Sequence, residues 1–203
     1  MFFLYNYFIG IDVGLSGAVS ILDVNSIVVK IIEIPTVKVV NSAYKRWYDV
    51  NKLKELFNSY PSSFCILEYQ RPMTGQGISS TFRLGRGFGL LEGLTNVLCD
   101  NVIITDPKTW QNYFKKKYFS KEQIQAFKDK VYDDKCIIDS IKNPDLKERY
   151  LKYSSSKSAS VSKIKSLFIC DIVCSETNEY INFKNHNLID AFLIAKFGFH
   201  NKI

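Results

Sequence analysis

The sequence predicts an α/β sandwich, a mixed sheet flanked by helices. Three observations predict it. Short β-branched runs open the chain and return singly between helical stretches. The order of elements is three strands, helix, strand, helix, strand and then helices, which is a layered α/β order. The chain has 203 residues, 46% of them hydrophobic, which is enough for one domain with a substantial core.

Tyr7–Val13 and Ala18–Leu22 read as strands around a turn broken by Gly14, Ser16 and Gly17. The apolar lead-in MFFLYNYF has no basic flank and no small-residue cleavage site, so it reads as an approach to the first strand. Ile27–Ile34 is a third strand, closed by Pro35. Asp49 caps a short helix through Leu53, Leu56 and Phe57. Phe64–Leu67 is a buried strand ending at Glu68, and the polar segment Tyr69–Ser80 follows as a loop. Thr81–Leu98 is a helix despite Gly85, Gly87, Gly89 and Gly93, which weaken it and allow another backbone to come close. Val102–Ile104 is the fifth strand, and Pro107 opens a helix over Lys108–Phe114. Residues 115–156 read as a helical insertion in a single domain. Ala159–Ile169 is amphipathic, with Val161, Ile164, Leu167 and Phe168 on one side, and Asn185–Gly198 is a final apolar helix.

The net charge of +7 is local. Residues 115–165 hold fourteen Lys/Arg and seven Asp/Glu, while the remainder holds thirteen of each. A neutral body with a basic segment is the electrostatic footprint of a polyanion partner, and a solvated lysine-rich face is the alternative. Five cysteines without a CxxC pair, and two histidines, argue against a disulfide framework or a zinc site. They fit an intracellular protein with free thiols. No apolar run approaches the ~20 residues of a membrane helix, so no membrane role is expected.

Three acids stand out. Asp12 ends the first apolar run, IGIDVG, and Glu68 ends CILE in the same way. If those strands are neighbours, both carboxylates emerge at one edge. Asp190 lies in the apolar helix HNLIDAFLIAKF, with His186 and Asn187 four and three residues earlier on the same face. Converging carboxylates suit hard divalent cations, and Mg²⁺ in particular takes oxygen ligands. Two such ions can activate water and stabilise a leaving oxygen in phosphodiester cleavage. Each acid also has a plain structural reading: Asp12 as a turn former, Glu68 as a solvated strand end, and Asp190 as a partner for Lys196 or a backbone donor.

The segments IGIDVGLSGAVSIL, ILEYQRP, SSTFRLGRGFGLLEGL, TDPKTWQNYF, KSASVSKIKSLF and HNLIDAFLIAKFG, in that order, resemble the RuvC-type Holliday junction resolvases. These belong to the RNase H-like, retroviral-integrase superfamily, and the likeness is to the phage and viral branch. The resemblance covers residues 7–114 and 157–198. It implies a five-stranded sheet, three strands antiparallel and then parallel ones, flanked by helices. It implies Asp12, Glu68 and Asp190 as catalytic acids holding two Mg²⁺, for which Mn²⁺ can substitute. It implies a homodimer packed through Thr81–Leu98, whose two sites make paired symmetric nicks in a four-way DNA junction and leave 5′-phosphates. Lys157 is implied as a contact to the DNA backbone.

The chain departs from the family in two places. Where the family carries another acid or a histidine before the last aspartate, this chain offers His186 and Asn187. His186 is the better candidate, as a ligand or as a proton-handling group. The basic insertion has no counterpart in the family core. Lys115, Lys116 and Lys117 are candidate phosphate contacts beside Lys157, Tyr69 and Arg71 are candidates for an unpaired base, and Arg83 joins them as a DNA contact. Competing readings are a nuclease of RNA–DNA hybrids using the same acids, a nucleic-acid-binding module with a degenerate site, and a fragment of an actin-like-fold sugar kinase. The kinase needs a second phosphate-binding lobe that is not visible in the sequence.

Overall fold

A computed structural model describes residues 4–40, 45–121, 161–177 and 185–201, with isolated positions between 125 and 183. Five strands form the main sheet: β1 (Tyr7–Asp12), β2 (Ala18–Asp23), β3 (Val28–Glu33), β6 (Ser63–Glu68) and β7 (Asn101–Thr105). Their order is β3-β2-β1-β6-β7. β1, β2 and β3 pair antiparallel, whereas β6 runs parallel to β1 and β7 parallel to β6. This is the mixed sheet that the resemblance implies, three strands antiparallel and then parallel ones, with helices on both faces.

Alternation along the central strands sorts the two cores. Phe8, Phe64 and Ile66 belong to one buried cluster. Ile9, Ile11, Cys65 and Leu67 belong to the other. A period of two is what a strand covered on both faces requires. The first cluster is roofed by α3 (Pro107–Tyr118), α4 (Val161–Thr177) and α5 (His186–His200). The second is roofed by α1 (Val50–Asn58) and α2 (Ile78–Leu98). α5 lies directly against β1 because Gly10 has no side chain. A Cβ there would stand 2.3 Å from the Ala195 nitrogen and 2.4 Å from the Ala191 oxygen. At this position any larger residue would lift the helix off the sheet.

Local chemistry sets the helix ends. The Asp49 carboxylate accepts from Lys52 N at the start of α1, and the Asp106 carboxylate accepts from Lys108 N at the start of α3, with Pro107 in the first helical position. Asn185 caps α5 by accepting from Leu188 N. Two helices run further than their sequence patterns suggest. α2 starts at Ile78 instead of Thr81, because Ser80 and Thr81 N–H groups bond the Gly77 carbonyl. α3 continues past Phe114 to Tyr118, and Lys115, Lys116 and Lys117 occupy its last turn, where cations complement the helix dipole. The helix thus takes in the first residues assigned to the insertion. The rest of that segment lies almost wholly outside the described residues. α4 runs on to Thr177, and its buried side chains include Leu167, Ile169, Cys170, Val173 and Cys174.

The sequence pattern missed a hairpin of β4 (Thr36–Lys38) and β5 (Arg46–Tyr48), which pairs Thr36 with Tyr48. Runs of three residues are too short for a period of two to register. Cys65, Cys99, Cys170 and Cys174 are buried thiols, none of them in a disulfide. Among the described residues no helix is long and apolar enough to cross a membrane.

Candidate active site

Strand parity and register place the first two acids. Asp12 continues the series Phe8, Gly10 and therefore faces α5. Glu68 continues Phe64, Ile66 and faces the same side. Ile11 pairs with Leu67 across the parallel β1–β6 ladder, so Asp12 and Glu68 leave the carboxyl edge of the sheet side by side. The turn after β1 is anchored twice: Arg46 donates to the Leu15 carbonyl at 2.9 Å, and the Asn187 amide donates to the Ser16 carbonyl. α5 enters over that turn, and its close seat on Gly10 brings Asp190 to the same edge.

The electrostatics record the convergence. Asp12 is held well above the usual carboxylate range, first by burial and then by the charges of Asp190 and Glu68. Its carboxyl group is also within hydrogen-bonding reach of Glu68. Glu68, only 8% exposed, is pushed up to about 7. Burial is the main cause; hydrogen bonds from Trp110 and Gln70 oppose it, and the Asp190 and Asp106 charges add to it. Tyr48 is pushed up to about 12 by burial and then by Asp12. Its ring lies under α2 at Gly87, where a Cβ would come within 2.7 Å of the phenol. A carboxyl–carboxylate hydrogen bond needs a proton between its oxygens, as in other paired acids. A divalent cation would do the same neutralising work.

His186 is buried, with Nε2 3.0 Å from Asp190 Oδ2. It therefore meets Asp190 directly. Asn187 spends its amide nitrogen on the turn, which gives it an anchoring role in this arrangement. Lys196 extends to the other end of the sheet and donates to the Ser26 carbonyl at 2.6 Å.

The donor set fits a hard cation. Three carboxyl groups share one edge, two of them, Asp12 and Glu68, with raised proton affinity, and Asp190 Oδ1 is buried without a hydrogen-bond partner. Among the described residues, no three His, Cys, Asp or Glu side chains form a group ready to hold a metal ion as they stand. Glu68 and Asp190 instead direct oxygens to Trp110, Gln70 and His186.

The candidate DNA contacts fall into separate regions. Tyr69 is 40% exposed and stands edge-on to Phe88. The Arg71 guanidinium lies 5.6 Å from the Tyr69 ring centroid and pairs with Asp106. Arg83 is exposed on α2. Lys115, Lys116 and Lys117 lie five to seven residues beyond Trp110 on α3, roughly 8–10 Å along the helix axis. Lys157 lies outside the described residues. Sequence reasoning missed Trp110, Gln70 and Tyr48. The signal for Trp110 was a tryptophan in the first turns of a helix that follows a strand, since a buried indole N–H needs an acceptor.

No protein-family model and no curated protein matches this chain. Among solved structures, it is similar to the crystal structure of the yeast mitochondrial Holliday junction resolvase Ydc2. The TM-score is 0.45 and the identity 14%, over 98% of this chain and 79% of that one.

Proposed function

We propose that this protein is a divalent-metal-dependent endonuclease that resolves four-way DNA junctions by paired nicks, working as a homodimer of the RuvC type. One observation carries the nuclease reading. Asp12, Glu68 and Asp190 come from three separate elements, two strand ends and a helix, and meet at one sheet edge, where the Asp190 charge raises the proton affinity of both Asp12 and Glu68. The sequence resemblance supports the junction as substrate, and its phage and viral flavour belongs to this proposal too.

Asp12, Glu68 and Asp190 would hold Mg²⁺ or Mn²⁺, which when bound supplies an activated water and neutralises the leaving oxygen. The chain's own residues set the geometry. The β1–β6 register fixes the spacing of Asp12 and Glu68, and the α5 seat on Gly10 fixes Asp190. His186 holds Asp190 Oδ2 and so orients the carboxylate. Tyr69 and Arg71, just past Glu68, meet DNA at the crossover. Arg83 and the lysines of α3 contact its phosphates. The outer face of α2 supports the homodimer: a Cβ at Gly85, Gly89 or Gly93 would meet nothing within 4 Å, and Ile78, Phe82 and Val97 are exposed beside them. A twin helix can lie close along such a face.

The test is a labelled mobile four-way junction incubated with and without Mg²⁺, beside an RNA–DNA hybrid duplex. The wild type should nick the junction symmetrically only with the metal, and Asp12→Asn should bind it without cutting. Equal cutting by the variant would remove Asp12 from the mechanism. Preference for the hybrid would transfer the site to the competing nuclease class.

A further inference from the structure

We infer that Trp110, assisted by Gln70, is a positioning residue that clamps the Glu68 carboxylate in the orientation needed to receive a metal ion; this rests on the nuclease reading of the site. Trp110 is fully buried and its indole N–H donates to Glu68 Oε1 at 2.9 Å. The Gln70 amide donates to the other oxygen, Oε2, at 3.1 Å. Each carboxylate oxygen has two lone pairs. The clamp occupies one on each, so each oxygen keeps a second lone pair for the Asp12 carboxyl group or a cation.

The clamp is built on rigid parts. Glu68 pairs with Thr105 at the end of the β6–β7 ladder, and Tyr69 N donates to the Thr105 carbonyl at 2.8 Å. The chain then turns at Asp106 and Pro107 straight into α3. That register leaves Trp110 one turn into the helix, opposite Glu68. The ring is locked in the same core cluster as Phe114 and Ile66, so the N–H direction is fixed by packing. An indole N–H is a donor only, so it cannot turn round and compete for the cation. A carboxylate held in one rotamer loses less freedom when a cation arrives, and outer-shell donors of this kind commonly affect metal affinity by ~10–100-fold. Glutamate on a flexible stem gains most from such a device.

Two variants of the whole chain test the clamp. Trp110→Phe removes the N–H but shrinks the ring. Replacement of Trp110 by benzothienylalanine keeps the ring size and exchanges N–H for sulfur. Mn²⁺ binding measured by calorimetry should weaken about tenfold or more in both, and Gln70→Leu should weaken it less. The benzothienyl chain should melt within a degree or two of the wild type in chelator. Wild-type Mn²⁺ affinity in that chain would overturn the inference. A second readout does not depend on metal at all. The Trp110 indole proton, identified by its loss in Trp110→Phe, should resonate downfield and move upfield in Glu68→Gln. An indole signal indifferent to Glu68→Gln would also overturn the clamp. A wild type that binds no Mn²⁺ yet shows the shifted indole would sink the nuclease reading and leave the hydrogen bond standing as a structural device.

Discussion

Helix α5 carries one lysine, fully buried, and one aspartate, half-buried, and their treatment differs. Lys196 is fully buried at one end of the sheet, where its ammonium donates to the Ser26 carbonyl at 2.6 Å and lies 5.1 Å from the Phe192 ring centroid. Asp190, six residues earlier, stands at the other end with one oxygen on His186 and the other buried without a hydrogen-bond partner. It also raises the proton affinity of two further carboxyl groups. A buried charge given its partners by the fold is spent on stability. A half-buried charge with one oxygen short of partners among like charges is held for something that arrives later. The structural reading of Asp190 as a partner for Lys196 does not hold, since Lys196 reaches a carbonyl at the opposite edge.

This contrast can be broken by two substitutions. Asp190→Asn should lower junction cleavage by about 10³-fold or more, the scale seen when one charged or polar group used in the transition state is removed. Its metal-free melting temperature should stay level or rise, because a like charge is gone from beside Asp12 and Glu68. Lys196→Met should do the reverse. It leaves the Ser26 carbonyl without its donor, which costs about 1–3 kcal/mol in urea unfolding, and cleavage per folded molecule should be unchanged. If Lys196→Met abolished cleavage while Asp190→Asn only destabilised the fold, the assignment of the two ends would be inverted.

How much of this was legible beforehand follows the same division. The central strands, the cap at Asp49 and the three acids were readable, because period-two burial, a capping residue before an apolar helix and a charge at the end of an apolar run are local signals. Their meeting was not local. It depends on β1 and β6 being parallel neighbours and on α5 sitting on Gly10, and only the family resemblance carried that information. The β4–β5 hairpin left no signal, since its strands are three residues each, yet it delivers Arg46 to the β1–β2 turn and Tyr48 to the edge of the site. Trp110 and Gln70 looked like core and loop residues because a hydrogen bond from α3 to a strand end has no spacing in the sequence. His186 was read as a candidate ligand from helix spacing, and the same i, i+4 spacing gives the contact it makes with Asp190.

The Glu68 shift yields a pH signature that sharpens the comparison. Folded, Glu68 keeps its proton up to about pH 7, while unfolded it releases it near 4.5. The folded state therefore binds more protons between those values, so stability should fall as pH rises through that window. In chelator, the melting temperature should drop by several degrees from pH 5 to pH 8. Glu68→Gln should flatten the slope, and Mg²⁺ should restore stability at pH 8 by replacing the proton. A melting temperature that climbs with pH in chelator would mean Glu68 is not a buried, protonated acid.

The smallest effect is expected at the third region, the last turn of α3. Lys115, Lys116 and Lys117 stand a helix length from Glu68 and lie where cations also complement the helix dipole. Lys117 rests over the Tyr118 ring at 5.0 Å from its centroid, so part of the run has a structural occupation already. Replacing all three with Gln should weaken junction binding several-fold and reduce the slope of log K against log salt by about 0.9 for each lysine that meets a phosphate. The cleavage rate of saturated enzyme should not change, because none of the three lies at the carboxylate edge. A slope equal to the wild type's would confine the run to stabilising α3, and junction affinity would then have to come from Arg71, Arg83 and the basic segment beyond the helix.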